Sequence, residues 1–181
     1  MIRILLLVLL VFAPDVKPKL TKTKVTKNIT MLTPSDWTQM EAEDLIQRYP
    51  SVRAPLAAYT SPDRMSDLAV NVSATQWPDG NLKMASQFFK ASLMNLFDKV
   101  DIISEGIKTI HKKQFIYFEF ESRMNGNPKV EAAREPILKY SYVMYLIEGD
   151  RTTVFSFNCP RNMREEWQDV ARQIMSSVKV N

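Results

Sequence analysis

Residues 137–159 read ILKYSYVMYLIEGDRTTVFSFNC, and the fold is decided by how this stretch is placed. Glu148-Gly149-Asp150 has the chemistry of a tight turn, so two strands meet there as a hairpin. Side chains alternate along a strand, which sends Tyr140, Tyr142, Met144 and Leu146 one way and Val143, Tyr145 and Ile147 the other. From residue 142 on, both sets are apolar. A strand with two apolar faces lies inside a sheet that is covered on both sides. In the second strand Thr153, Phe155, Phe157 and Cys159 share one face and extend the same apolar surface.

The covering layers are found on either side of this hairpin. Met163, Trp167, Val170, Ala171, Ile174, Met175 and Val178 recur at helical spacing, and so do Leu82, Ala85, Phe89, Leu93 and Leu96. These predict two long helices, over about 162–178 and 81–100. A shorter helix is expected in MEAEDLIQRY, stopped by Pro50. Asn162 with Glu165, and Thr38 with Glu41, have the spacing of capping boxes at two of these starts. Strands are predicted in residues 23–34, in LAAYT and SDLAVNVSATQ on either side of the turn SPDR, and in IISEGIKTIH and KQFIYFEFESR. MNGNPKVEAAREP (124–136) reads as the longest irregular loop. Strands that follow one another through hairpins make a largely antiparallel sheet, so the expected class is α+β: a three-layer α/β/α sandwich with a central sheet flanked by helices.

Composition narrows the function. The chain of 181 residues has four glycines and neither a GxGxxG nor a GxxxxGK[ST] motif, so no Gly-rich phosphate loop is expected. One cysteine excludes an internal disulfide, and one histidine, His111, leaves too few ligands for a zinc site of the Cys/His kind. No cofactor and no metal are expected. The net charge of +4 is local: residues 1–27 hold six basic groups and one acid, so residues 28–181 sum to −1. A folded body without a basic, aromatic-laced stripe is not a nucleic-acid binder.

MIRILLLVLLVFAPDVKPKL has one cation, an apolar run from Ile4 to Ala13 and a Lys- and Pro-containing continuation. Residues 1–13 read as a signal peptide or short apolar leader, 14–22 as a basic linker and 23–181 as one globular domain. The apolar run reaches about half of the roughly 20 residues that cross a bilayer, which favours a cleaved segment and export, with a membrane tether as the outcome if it is not cleaved. The lysines from Lys17 to Lys27 are read as a solvated linker, with weak contact to anionic lipid as the sharper alternative.

Three groups of residues compete for a functional role. Cys159 continues an apolar row and reads as a buried thiol, with His111 set apart in a polar turn. Glu119 and Glu121 lie on one strand face, where they serve either as an acid–base or cation-holding pair or, as favoured here, as partners of Lys139 or Arg123 on neighbouring strands. RYPSVRAPLAAYTSPDR concentrates Arg48, Tyr49, Arg53, Tyr59 and Arg64, residue types that anchor binding surfaces, and these form the candidate partner-binding set. Trp77 joins them as an exposed contact, or else plugs the sheet edge, the reading favoured here.

Four stretches resemble the Mog1/PsbP-like superfamily over residues 25–180: ITMLTPSDW, LAAYTSPDRMSDLAVNVS, MASQFFKASLMNLF, and VFSFNCPRNMREEWQDVARQIMSSVKV with its final strand, tight turn, Trp-containing helix and short closing strand. The resemblance implies the same α/β/α sandwich. It also implies binding to another macromolecule without catalysis, in the manner of the family's bacterial exported branch. The expected function is thus a noncatalytic, exported, periplasmic binding or accessory protein of the bacterial cell envelope, acting on an unknown protein or envelope partner. The alternatives are a metal-dependent or hydrolytic enzyme using Glu119 and Glu121, and a cytosolic adaptor if the leader is not a signal.

Overall fold

The computed structural model describes residues 17–49, 54–75, 77, 80–125 and 135–181. The predicted hairpin stands near the centre of the larger of two sheets. Its strands β8 (Ile137–Glu148) and β9 (Arg151–Pro160) turn at Gly149 and Asp150, where Gly149 takes a φ of 62° that suits a residue without a Cβ. Outward from β8 come β7 (Lys113–Met124) and β6 (Lys99–Ile110); outward from β9 come β5 (Asp67–Val72), β4 (Ala57–Thr60) and the two-residue β3 (Thr38–Gln39). Every neighbouring pair is antiparallel.

Register converts alternation into two cores. Tyr142 faces Phe157 and Met144 faces Phe155, and this side packs against Trp167, Val170, Ala171, Ile174 and Met175 of α3 (Arg164–Ser176). Val143 lies opposite Phe118 and Tyr145 opposite Ile116, and this side meets Ala85, Phe89 and Leu93 of α2 (Leu82–Leu96). The Phe89 and Tyr145 rings stack at 4.1 Å and 9°. Each fully buried aromatic or aliphatic side chain contributes about 1.5–3 kcal/mol, so the two faces of β8 anchor both helical layers. The α2 stripe ends at Leu93, since Leu96 is exposed. A third helix, α1 (Ala42–Arg48), lies with Met40 over Ala58 and Ala69 on the α2 face.

The stretch read as one strand or hairpin, 23–34, is a hairpin of β1 (Leu20–Lys24) and β2 (Ile29–Pro34), and β1 begins within the segment read as linker. With β10 (Lys179–Val180) they form a separate small sheet on the α3 face, where Val25, Ile29 and Met31 are buried. Ser177 fastens it to α3: its Oγ accepts from the Leu32 N–H at 2.8 Å and donates to the Ile174 carbonyl at 2.6 Å. Trp37, in the ITMLTPSDW stretch, stacks on Phe157 at 5.9 Å and touches Trp167 at 5.2 Å.

Neither capping box forms. Thr38 pairs with Thr60 in the sheet, and α1 starts after Glu41, which makes no side-chain cap. Asn162 sits inside a short 3-10 turn, Arg161–Met163, that precedes α3; Glu165 and Glu166 in the first turn of α3 complement the helix dipole instead. Of the described α-helices, α2 alone has a side-chain cap, with Asn81 Oδ1 accepting from the Met84 N–H at 3.0 Å. Pro50 and most of the 124–136 loop lie outside the described residues.

The partners expected for Glu119 and Glu121 also change. Lys139 is opposite Ser122, on the other face, so α3 supplies the counter-charges. Glu119, 1% exposed, accepts from the Tyr140 hydroxyl at 3.1 Å, from Arg172 Nε at 3.1 Å and from Gln168 Nε2. Glu121 pairs with Arg164 Nη1 at 2.9 Å and lies 3.9 Å from Arg161 Nε. Together the two carboxylates fasten α3 to the sheet. Removing one partner of a buried charge network leaves the others uncompensated. Glu119→Ala is therefore expected to lower unfolding free energy by about 3 kcal/mol in urea titrations, on the scale of a broken buried ion pair; a loss below about 1 kcal/mol would show that Glu119 does not hold α3.

A cation-rimmed groove as the candidate functional site

On the α2 face, three strands place polar residues side by side. Asp67 of β5, Asn158 of β9 and Ser141 of β8 are in register with one another. Ser141 Oγ donates to Asn158 Oδ1 at 2.8 Å, and Asn158 Nδ2 donates to Asp67 Oδ1 at 2.9 Å. The Tyr49 hydroxyl, brought in by the end of α1, donates to the same carboxylate oxygen at 2.9 Å. Burial, followed by the charge of Asp67 and this hydrogen bond, drives the Tyr49 pKa far above the ordinary phenol value. The ring keeps its proton and acts as a fixed donor.

This polar row is the floor of a groove of about 450 Å³ between α1, the β4–β5 turn and the end of α2. Arg48, Arg64 and Lys139 stand around it, and Met65 and Phe97 give it apolar wall. Arg48 uses its guanidinium on neutral oxygens, donating to the Arg64 carbonyl at 2.6 Å and to Thr60 Oγ1 at 3.4 Å, and has no carboxylate partner among the described residues. Arg64 pairs with Asp44 across the rim. The turn below is tightly built: the Arg64 N–H donates to the Ser61 carbonyl at 2.8 Å, and Asp63 accepts from Ser61 Oγ and the Met65 N–H, contacts that hold the Asp63 carboxyl below its ordinary pKa. Arg64 closes it at a φ of 60°, a left-handed conformation that costs an L-residue about 1–2 kcal/mol.

The structure thus brings together Arg48, Tyr49 and Arg64 of the predicted set and sets Tyr59 and Trp77 apart. Tyr59 is on the opposite face, because β4 alternation sets it beside Leu68 under the α3 layer. Trp77 packs on Phe88 at 5.4 Å and Phe89 at 6.3 Å, plugging the α2 core away from the groove. Arg53 lies outside the described residues. Phe97, Met65 and Asn158 were not singled out in the sequence, and Lys139 was read only as a partner of the glutamates; the four come from separate segments.

The arrangement sets cations and apolar wall around a floor whose donors are taken up by Asp67 and by one another. Cys159 is buried on the α3 face, its thiol pushed up to about 12 chiefly by burial and next by Asp67, and His111 is exposed in the turn between β6 and β7. No group of three or more His, Cys, Asp or Glu side chains disposed to hold a metal occurs among the described residues. A second cluster lies on the α3 face near the sheet edge. Lys108 Nζ sits 5.0 Å and 4.8 Å from the Tyr117 and Tyr142 ring centres and donates to the Tyr142 hydroxyl at 2.6 Å. Gly106 makes room for Tyr117, whose ring a Cβ there would meet at 3.4 Å. Burial lowers the Lys108 pKa to about 8, against an upward pull from Glu119.

No family model matches this sequence, and no curated protein matches it by sequence. Solved structures do match in shape. Cyanobacterial PsbP from Synechocystis aligns with a TM-score of 0.59 at 11% identity, covering 90% of this chain and 92% of its own. The Ran-binding protein Mog1p of Saccharomyces cerevisiae aligns at 0.59 and 14%, covering 91% and 96%. LpqN of Mycobacterium tuberculosis, involved in cell envelope biogenesis, aligns at 0.56 and 13%, covering 90% and 91%. The chain therefore has the Mog1/PsbP-like fold.

Two outcomes follow from this geometry. Arg64→Gly relieves the left-handed backbone while removing the rim cation, so stability is expected to stay level or rise by up to about 1 kcal/mol in thermal or urea melts; a marked loss would mean that the Asp44 pair, not the turn, sets the local energy. For Lys108 the folded pKa of about 8 lies below the ordinary lysine value of 10.5, so the unfolded chain binds more protons between them. Stability from this group is expected to rise as pH goes from about 7.5 to 9.5, and Lys108→Met to lose that rise, read from urea midpoints at the two pH values.

Proposed function

We propose that this chain is a noncatalytic binding or accessory protein, exported to the bacterial cell envelope, that holds a macromolecular partner in the groove bounded by Arg48, Arg64 and Lys139. The observation that carries the reading is the groove itself: Arg48, Arg64 and Lys139 stand around a floor in which Tyr49, Asn158 and Ser141 are hydrogen-bonded to Asp67 or to one another, beside exposed Met65 and the Phe97 ring. A partner segment that presents a carboxylate next to an apolar side chain satisfies both halves. Charge-assisted bonds to arginine are roughly twice as strong as neutral ones, and an apolar anchor beside them supplies desolvated area.

The pairing of Glu119 and Glu121 with α3 side chains favours this reading over the enzymatic alternative that uses them. Support for a binding role comes also from the fold's other bearers: Mog1p binds Ran, and LpqN takes part in cell envelope biogenesis. The envelope placement rests on the apolar leader of residues 4–13. Among the described residues no helix is long and apolar enough to cross a membrane.

The test is a photo-crosslinking amino acid at position 65, introduced in the native host, with each cell fraction probed for adducts by mass spectrometry. The expected result is one dominant protein adduct in the exported fraction, lost when Arg48 and Lys139 are both changed to Glu while the melting temperature stays within a few degrees. An adduct that survives the double reversal would remove the groove as the docking surface, and adducts confined to cytosolic chains would remove the envelope.

A further inference from the structure

The seven-stranded sheet ends in β6, whose outer edge meets no strand among the described residues. An edge of this length pairs with other strands unless charges or bulges prevent it. β6 has both, and their positions fit a second β6. The two-residue turn His111–Lys112, with φ of 46° and 69°, closes on the pair Ile110–Lys113, the hydrogen-bonded pair of such a hairpin. Counting back by the alternation of an antiparallel ladder, Thr109, Ile107 and Glu105 direct their N–H and C=O away from β7; beyond the register shift between Ile102 and Ser104, Ile102 and Val100 do so.

Rotating the strand about a two-fold axis through Glu105, with Ile103 left over at the shift, sets Ile107 against Ile102 and Thr109 against Val100. Outward-directed residues then meet only outward-directed residues. On the α3 face, Lys108 falls opposite Asp101 at both ends of the pairing; Asp101 lies 2.8 Å from Lys99 within its own strand, so Lys108 joins that pair on leaving the Tyr142 hydroxyl it contacts in the single chain. The charges that guard an edge against strangers are thus complementary to the same edge inverted. Like charges directly opposite are unfavourable, and the axis brings two Glu105 together. Lys90 Nζ lies 2.6 Å from Glu105 in each copy, so what meets there is a pair of ion pairs. Ile107, 42% exposed, gains an apolar partner in the process.

We propose that the chain forms a two-fold homodimer in which β6 pairs antiparallel with β6 of a second copy, joining the two seven-stranded sheets into one. The surface is separate from the groove, which opens on the far half of the sheet around β5, β9 and the start of β8. A second copy is the occupant because Asp101 and Lys108 lie on one strand at self-matching positions.

Sedimentation of the full chain over a concentration series tests this, alongside three variants. The wild type is expected to shift from monomer to dimer. Ile107→Pro, whose lost N–H points away from β7, is expected to weaken dimerisation at least about tenfold with the unfolding midpoint kept, since proline is tolerated on the open side of an edge strand. Glu105→Cys is expected to give a disulfide-linked dimer on mild oxidation, because paired Cα atoms at about 5.5 Å are within disulfide range, whereas Thr109→Cys is not. A monomer at every concentration overturns the proposal, even if its edge takes up an added foreign strand. So does a dimer that links through Thr109→Cys and not through Glu105→Cys, and this arm decides the matter if Ile107→Pro fails to fold.

Discussion

The structure depends on one strand having no solvent side. From Tyr142 to Leu146, β8 is buried on both faces, and each face is the floor of a different helical layer. Remove the apolar character of one set and a helix loses its seat; slip the register by one residue and both sets change sides. Two long antiparallel partners fix that register, β7 through Ile116–Met124 and β9 through the tight turn at Gly149 and Asp150. The remaining strands add width, and the small sheet extends the α3 side.

Against this apolar background the polar insertions separate into two kinds. Glu119 and Glu121 on the α3 face find arginines, a glutamine and a tyrosine and become fasteners. Asp67, Asn158 and Ser141 on the other face satisfy one another and Tyr49, and no helix covers them fully. The difference lies in what packs above. The α3 side chains reach down with long cations, while α1 is only Ala42–Arg48 and leaves the space beside it open. A buried polar group that is closed in contributes structure, whereas the Asp67 row stays at the foot of an open groove.

The layers were legible because they rest on periodicity. Two interleaved apolar sets at 140–147, the 163–178 stripe and the 82–93 stripe carry enough residues for local exceptions not to matter. Capping boxes were misread because three-residue spacing recurs by chance, and a 3-10 turn before α3 displaced the true start. The two glutamates were correctly seen as structural, but their partners were sought across strands, where register sets Lys139 on the opposite face. Half of the groove was visible as a cluster of Arg and Tyr in one segment. Its other half, Lys139, Phe97 and Asn158, is assembled only by the pairing of distant strands and by where α2 ends, which no local pattern encodes.

Native-state hydrogen exchange resolves the hierarchy directly. If the two-faced strand is the element on which the rest is built, the amides of residues 142–146 exchange only through global unfolding, while those of α1 and the 61–66 turn exchange through local opening at much lower free energy. Exchange of the β8 amides through local opening, at free energies no higher than those of α1, would contradict the account and move the stabilising centre elsewhere.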